Sequence, residues 1–253
     1  MPHRRSLLCV PLPGLPDVRS GDDLAGMLAS VAPADLSGGD VLVVAHKVVS
    51  KSEGRLRRMA EIEPGERALA LAAEHGKDAR LVQAVLDESA ELLRARQGVL
   101  ICVTRQGFVC ANAGIDRSNT AAADELVLLP EDPDASARRI RGGIELALGV
   151  RPAVVISDSF GRAWRVGQTD VAIGAAGLTP LDSWQGRPDA YGRELRVTEI
   201  AVADAIAAGA DLARTKDSRE PAVLVRGLER YVTEADGPGA AALRRAREQD
   251  LFR

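Results

Sequence analysis

Two aspartates, Asp116 and Asp158, are the first candidates for chemistry, because each follows an apolar run that reads as a buried strand. Asp116 lies in Asn112-Ala113-Gly114-Ile115-Asp116-Arg117-Ser118-Asn119, and Asp158 opens Asp158-Ser159-Phe160-Gly161-Arg162. A third polar run, Ser50-Lys51-Ser52-Glu53-Gly54-Arg55, follows the apolar stretch 41–49. Loops at strand ends are common places for functional groups. Carboxylates and the Ser159 hydroxyl are hard oxygen donors. They suit Mg2+ or Mn2+, which often bridge protein carboxylates to substrate phosphates. Lys51, Arg55, Arg162 and Arg165 could neutralise those phosphates. The plainer alternative is that each Asp caps a turn and that Gly54, Gly114, Gly161 and Gly167 only supply positive φ. Residue types alone leave both readings open.

Several other chemistries are excluded. Gly76-Lys77 is followed by Asp78, so no phosphate loop of the GxxxxGK[ST] type exists, and GxGxxG, HExxH and GxSxG are absent. His3, His46 and His75 are isolated in sequence, which disfavours a Cys/His nucleophile pair. Cys9, Cys102 and Cys110 sit in apolar runs without a CxxC, so they read as buried free thiols in a reducing compartment.

The elements that must position these residues form a mixed pattern. Strands are expected at 6–10, at 41–45 with 47–50 continuing it, at 99–104 and 108–111 as a hairpin, at 153–157 and at 222–225. Helices are expected from Asp22 or Asp23 to Val31, at 65–75, 78–96, 135–148, 197–212 and 239–252, with Gly76 and Gly149 as stops. The stretch 158–170 reads as a long polar loop. Hairpins alongside helix-separated strands give a mixed α/β content, an α+β fold. Pro130 to Pro133 is the one candidate boundary in what otherwise reads as a single unit.

The 253 residues carry 33 basic and 36 acidic side chains, interleaved rather than segregated. That argues against nucleic acid as a partner. Aromatics make up only 3% of the chain, which disfavours a stacking platform and demands an aliphatic core. No apolar run approaches a membrane span and none near the N-terminus is long enough for a signal peptide, so a cytoplasmic location is expected.

The polar runs, taken together and in order, resemble the coenzyme F420-0:γ-glutamyl ligase family. The resemblance is carried by Val48 to Arg55, Asn112 to Asn119 and Asp158 to Arg162. It continues through Gly167-Gln168-Thr169-Asp170-Val171-Ala172-Ile173-Gly174, through Asp182, Trp184, Gly186 and Asp189 to Leu195, and through Val225-Arg226-Gly227. It starts at Gly14-Leu15-Pro16 and covers almost the whole chain.

The resemblance implies a two-subdomain α+β fold, an intertwined homodimer, and a stand-alone form without a C-terminal reductase-like domain. It implies a GTP-dependent ligase adding L-glutamate to coenzyme F420-0 through an acyl phosphate, with further γ-linked glutamates as an extension. Two divalent ions, Mg2+ or Mn2+, are implied, with K+ as a further candidate. Carried over by position, Asp116 and Asp158 look like ligands of one metal, and Ser159 stands at a second. Pro13, Gly14, Leu15, Pro16, His46, Lys51 and Asn119 look like GTP contacts. For His46 the alternative is a strand-end residue hydrogen-bonded to solvent. Related chains often carry Met-Gly-Glu or Met-Gly-Gln where this one has Ala213-Arg214-Thr215-Lys216-Asp217. An ammonium cannot ligate a metal, so Asp217, water, or the charge of Lys216 itself would have to substitute. Trp184 and Tyr191 fall in matching runs and Trp164 lies between two of them; each either packs loops on the core or faces the deazaflavin. Two other readings stay open: the same ligation of a different acid or amine, and metal and nucleotide binding without turnover.

Overall fold

The computed structural model describes residues 6–118, 124–215 and 217–251. Five strands form the central sheet in the order Leu8–Pro11, Ala222–Arg226, Val41–Ala45, Ala153–Arg162, Arg165–Ala176. Val41–Ala45 and Ala153–Arg162 are parallel, and the other neighbours are antiparallel. Val41 to Val44 are all buried because both faces of the sheet are covered. Alternation sorts them. Leu42, Val44, Val154, Ile156 and Leu224 face Leu24, Leu28, Ala137, Ile140 and Ile144 of the helices Leu24–Val31 and Pro133–Leu148. Val41, Val43, Val155, Val223 and Val225 face Val202, Ala203, Ile206 and Ala210 of the helix Val202–Ala213. Each fully buried Val, Leu or Ile stabilises the fold by about 1.5–3 kcal/mol.

A smaller unit packs on this sheet. Its three-stranded sheet, Ser89–Arg96, Val99–Thr104 and Val109–Ala111, lies under the helices Glu66–His75 and Ala79–Asp87 with a core of Ala68, Val82, Val85, Leu100 and Cys102. The content is α+β, as expected. Among the described residues no helix is long and apolar enough to cross a membrane.

Five expected elements differ. The run 47–50 does not extend the strand Val41–Ala45; it belongs to the helix His46–Ser52, whose buried His46, Val49 and Ser50 follow helical spacing. The helix expected at 78–96 stops at Asp87, and Ser89–Arg96 turns into a strand paired with Val99–Thr104. The polar stretch 158–170 is no loop: Ala153–Arg162 and Arg165–Ala176 form one long hairpin. The stretch 239–252 holds only the 3-10 turns Ala240–Leu243 and Arg247–Gln249, with Phe252 outside the described residues. In addition, the helix expected from 197 starts at Val202, after the strand Glu199–Ala201.

The irregular C-terminal segment has an internal cause. Arg141, 1% exposed, donates to the carbonyls of Pro152, Thr233 and Glu234 and to Asp236 Oδ1. Asp134 accepts the N–H groups of Ala240 and Ala241. Arg141 thus fixes the 233–236 connection that leads into the segment, and Asp134 holds the first N–H groups of the segment itself.

All three cysteines are free. Cys102 and Cys110 are buried as expected, whereas Cys9 is only half-buried on the edge strand. Burial raises each thiol, and Cys110 is pushed up to about 12 by burial first and then by the Asp158 and Cys102 charges. An aromatic disulfide reagent at neutral pH is therefore expected to modify Cys9 and to spare Cys102 and Cys110 until denaturant is added. Prompt reaction of Cys110 in the folded protein would contradict this environment.

Candidate functional site

The sheet topology brings most of the candidate residues to one edge. Leu8–Pro11 and Val41–Ala45 each pair antiparallel with Ala222–Arg226, and Val41–Ala45 runs parallel to Ala153–Arg162. Three strands therefore point the same way. The Pro13–Pro16 turn, the helix His46–Ser52 and the Ser157–Ser159 stretch all lie at or beyond that end. Ala45 sits opposite Ser157 and donates its N–H to Pro221 O, which adds the 214–221 connection to the same edge. The carboxyl ends of parallel strands are the usual place for ligands in sheets of this kind.

The helix His46–Ser52 organises the centre. His46 is 2% exposed, and its Nε2 lies 3.2 Å from Asp158 Oδ1, while its Nδ1 lies 3.5 Å from Ser50 Oγ. The Nε2 approach is an ion-pair distance without hydrogen-bond alignment, and this nitrogen has no hydrogen-bond partner. The solvent-bonded alternative for His46 is thus overturned: it is a buried helix-start residue beside a carboxylate. The next residue, Lys47, reaches Asp116 with Nζ 2.7 Å from Oδ2, and donates to Ser118 Oγ at 2.6 Å. Adjacent residues of one helix therefore contact both candidate aspartates. Burial pushes the Asp116 carboxyl up. The hydrogen bonds from Lys47 and from the Ser118 backbone outweigh it, so Asp116 ionises below the ordinary carboxylate range.

Asp158 and Ser159 lie in a strand beside a register slip between the pairs Ile156–Gly174 and Ser157–Ala172. Such bulges re-aim side chains near sites. The Ser159 N–H donates to Asp158 Oδ1 at 2.8 Å. Its hydroxyl donates to Asp170 Oδ1 at 2.6 Å, and Ser157 Oγ donates to Asp170 Oδ2 at 2.8 Å. Arg214 Nη2 closes the network, 2.6 Å from Asp170 Oδ2. Asp170 is 1% exposed, and its ion-pair partner Arg214 is largely buried at 10%.

The remaining candidates are arranged around this centre. Pro13, Gly14 and Pro16 are exposed and Leu15 packs on the core. Gly14, with φ +87 and open space around it, is the residue the turn requires. Lys51 is half-buried in the last turn of the helix His46–Ser52. Arg55, read as a phosphate neutraliser, instead pairs with Glu88 and Glu131 and donates to Leu129 O. Arg162 and Arg165 stand at the exposed tip of the long hairpin. Asn119 and Lys216 lie outside the described residues. Asp217, the possible substitute ligand, is exposed and accepts from Thr215 Oγ1. Loop packing on the core fails as a role for Trp164 and Tyr191, which are 85% and 92% exposed. Trp184 is half-buried, with its indole N–H on Asp182 and Arg187 over its ring.

The sequence reading missed Lys47, Asp170 and Arg214 as site residues. Asp170 had one available signal: a lone carboxylate entering the apolar run Val171-Ala172-Ile173. A buried charge there needs a partner.

The oxygen donors of Asp116, Asp158 and Ser159 are of the type that a hard divalent cation takes. Asp116 already holds a cationic group, and Asp158 lies beside a buried ring nitrogen that no hydrogen bond satisfies. Among the described residues no three His, Cys, Asp or Glu side chains form a cage. That is compatible with Mg2+-type sites, which use one or two carboxylates and complete the shell with water and substrate phosphate. The Ser159 hydroxyl would have to turn from Asp170 to join.

The F420-0:Gamma-glutamyl ligase family model matches residues 14–227. The coenzyme F420:L-glutamate ligase of Methanothermobacter thermautotrophicus is 44% identical over 245 residues, covering 95% of this chain and 96% of that protein. The protein of the same name from Methanopyrus kandleri is 44% identical over 245 residues, covering 96% of each chain. That from Haloarcula marismortui is 44% identical over 247 residues, covering 95% of this chain and 93% of its own length. On a match that runs through the sheet edge, both aspartates and the hairpin, the chain belongs to the F420-0:γ-glutamyl ligase family.

Proposed function

We propose that this protein joins L-glutamate to coenzyme F420-0 in F420 biosynthesis, with GTP as the driving co-substrate. The observation that carries the reading is the convergence of the two aspartates on one helix start, within a chain 44% identical over its length to coenzyme F420:L-glutamate ligases. A carboxylate of F420-0 would attack the γ-phosphorus of GTP, expelling GDP and leaving an acyl phosphate. The amine of glutamate would then attack the acyl carbon, forming the amide and releasing phosphate and a proton. A carboxylate and a triphosphate are both anionic, so their approach needs positive charge.

Asp116 and Asp158 would hold one divalent cation, with Ser159 at a second, and that metal would screen the phosphates when bound. Lys51 would place a further positive charge on the nucleotide, and the Pro13–Pro16 turn would border it. Direct activation of the substrate acid is supported by what the nearby nucleophiles are doing. The Ser157 and Ser159 hydroxyls are committed to Asp170, and Cys110 is a thiol pushed up to about 12. None is poised to form a covalent intermediate.

Incubation with F420-0, L-glutamate, GTP and Mg2+ or Mn2+ is expected to add glutamyl units to F420-0, with GDP and phosphate formed in step. Mass spectrometry of the product is the check. No glutamyl addition with either metal would overturn the reading, and equal turnover with ATP would remove the GTP assignment alone.

A further inference from the structure

We propose that Lys47 is a built-in counter-ion of Asp116, and that a divalent cation enters this site by displacing the Lys47 ammonium. The inference rests on the metal reading given above but not on the ligase reaction. Both oxygens of Asp116 are engaged. Oδ1 accepts the Ser118 N–H at 2.6 Å, and Oδ2 lies 2.7 Å from Lys47 Nζ. The N–H is fixed in the backbone, whereas an ammonium on a four-carbon stem can swing away. Lys47 thus covers the oxygen that an incoming metal can reach. A divalent ion and an ammonium in contact with the same carboxylate repel each other, so the two are alternatives.

The neighbouring geometry makes this an exchange rather than a general loosening. His46 is buried against Asp158 and Val49 and Ser50 are buried one turn on, which pins the backbone at Lys47. The displaced group is then the side chain alone. Its loss of Asp116 has to be made good by another anion. Metal arriving with a polyphosphate supplies one, and bare metal does not. The site therefore favours a metal–polyphosphate complex over free metal, and its carboxylate is compensated while empty.

The test is Mn2+ binding to the full chain without nucleotide, followed by electron paramagnetic resonance of free Mn2+. Lys47→Met is expected to tighten Mn2+ binding by about tenfold, within the range of coupling between linked sites. Lys47→Arg, which keeps the charge, is expected to stay near the native affinity. Equal or weaker binding by folded Lys47→Met overturns the exchange while leaving the ligase reading standing. Binding by neither protein overturns the exchange and the metal reading together. Should Lys47→Met fail to fold, the native protein still decides. The Lys47 ε-methylene resonance, assigned by its loss in Lys47→Arg, is expected to shift on addition of Mg2+ together with inorganic triphosphate, and not with triphosphate alone. An unmoved resonance overturns the proposal.

Discussion

Replacing Asp158 with asparagine is expected to lower glutamyl transfer by about a hundred- to thousandfold, the scale on which removal of one preorganised charge or donor acts in a catalytic site. The substitution is nearly isosteric, so its effect isolates the charge. Asparagine Oδ1 can still accept the Ser159 N–H that Asp158 accepts at 2.8 Å. The strand itself is held by its pairing with Val41–Ala45 on one side and with Arg165–Ala176 on the other. The folded state should therefore survive, while a hard anionic ligand is lost. Three measurements separate the possibilities: steady-state turnover, Mn2+ affinity and thermal unfolding. The expected pattern is a large fall in the first two with little change in the third. Turnover within threefold of the native protein would remove Asp158 from the metal role. A collapse of the melting temperature would instead make it a structural residue. Asp116→Asn should show the same loss of activity with one difference. Lys47 then faces no carboxylate at that position, so the Mn2+ gain expected for Lys47→Met should vanish in the double variant.

The layers of the main sheet were legible because burial there is nearly complete. Val41 to Val44 and Ala153 to Ile156 are continuous apolar runs, and such runs read as covered strands. Helices ending at Gly76 and Gly149 were legible for a different reason. Both glycines adopt the left-handed cap, with φ +64 and +70, and few other residues do so cheaply. The failures cluster where one face of an element meets the site or solvent. From Asp158 onward the strand Ala153–Arg162 presents Asp, Ser, Gly and Arg, and polarity on both faces erases the alternation that marks a strand. Ser89–Arg96 failed because Leu92 continues the helical apolar spacing of Leu81 and Val85, although the pairing with Val99–Thr104 decides the backbone. The C-terminal segment failed because its Ala and Arg residues favour helix locally. Arg141 and Asp134, remote in sequence, instead anchor the 233–236 connection before it and the N–H groups at its start. The site shows the same division. Asp116, Asp158 and Ser159 could be found by type and by neighbouring apolar runs. Lys47 could not, because a lysine two residues past a strand has no distinguishing local signal until the fold places Asp116 beside it.

Asp170 is where these two halves meet, and it carries the largest expected stability effect. It accepts the Ser157 and Ser159 hydroxyls and pairs with Arg214, all within a region from which water is nearly excluded. Asp170→Asn keeps the volume and some acceptor capacity but removes the charge. Arg214, 10% exposed, would then keep the Pro221 carbonyl, the Ser157 hydroxyl and the more distant Asp211 carboxylate, 3.9 Å from Nε, none of them a close carboxylate. Breaking a buried pair by neutralising one member is expected to cost about 3 kcal/mol, because the remaining guanidinium stays desolvated. Denaturant unfolding would read this as a lower midpoint at an unchanged slope. The functional consequence separates a positioning residue from a purely structural one. If Asp170 fixes the rotamer of Ser159, Asp170→Asn lowers kcat and Mn2+ affinity even under conditions where the variant is fully folded. The Ser159→Ala variant should then reproduce the kinetic loss without most of the stability loss, since Arg214 keeps its carboxylate. A folded Asp170→Asn protein with native Mn2+ affinity and native kcat would place the whole network in the scaffold. Ser159 would then have no part in the metal site, and Asp116 and Asp158 would be its only side chains among the described residues.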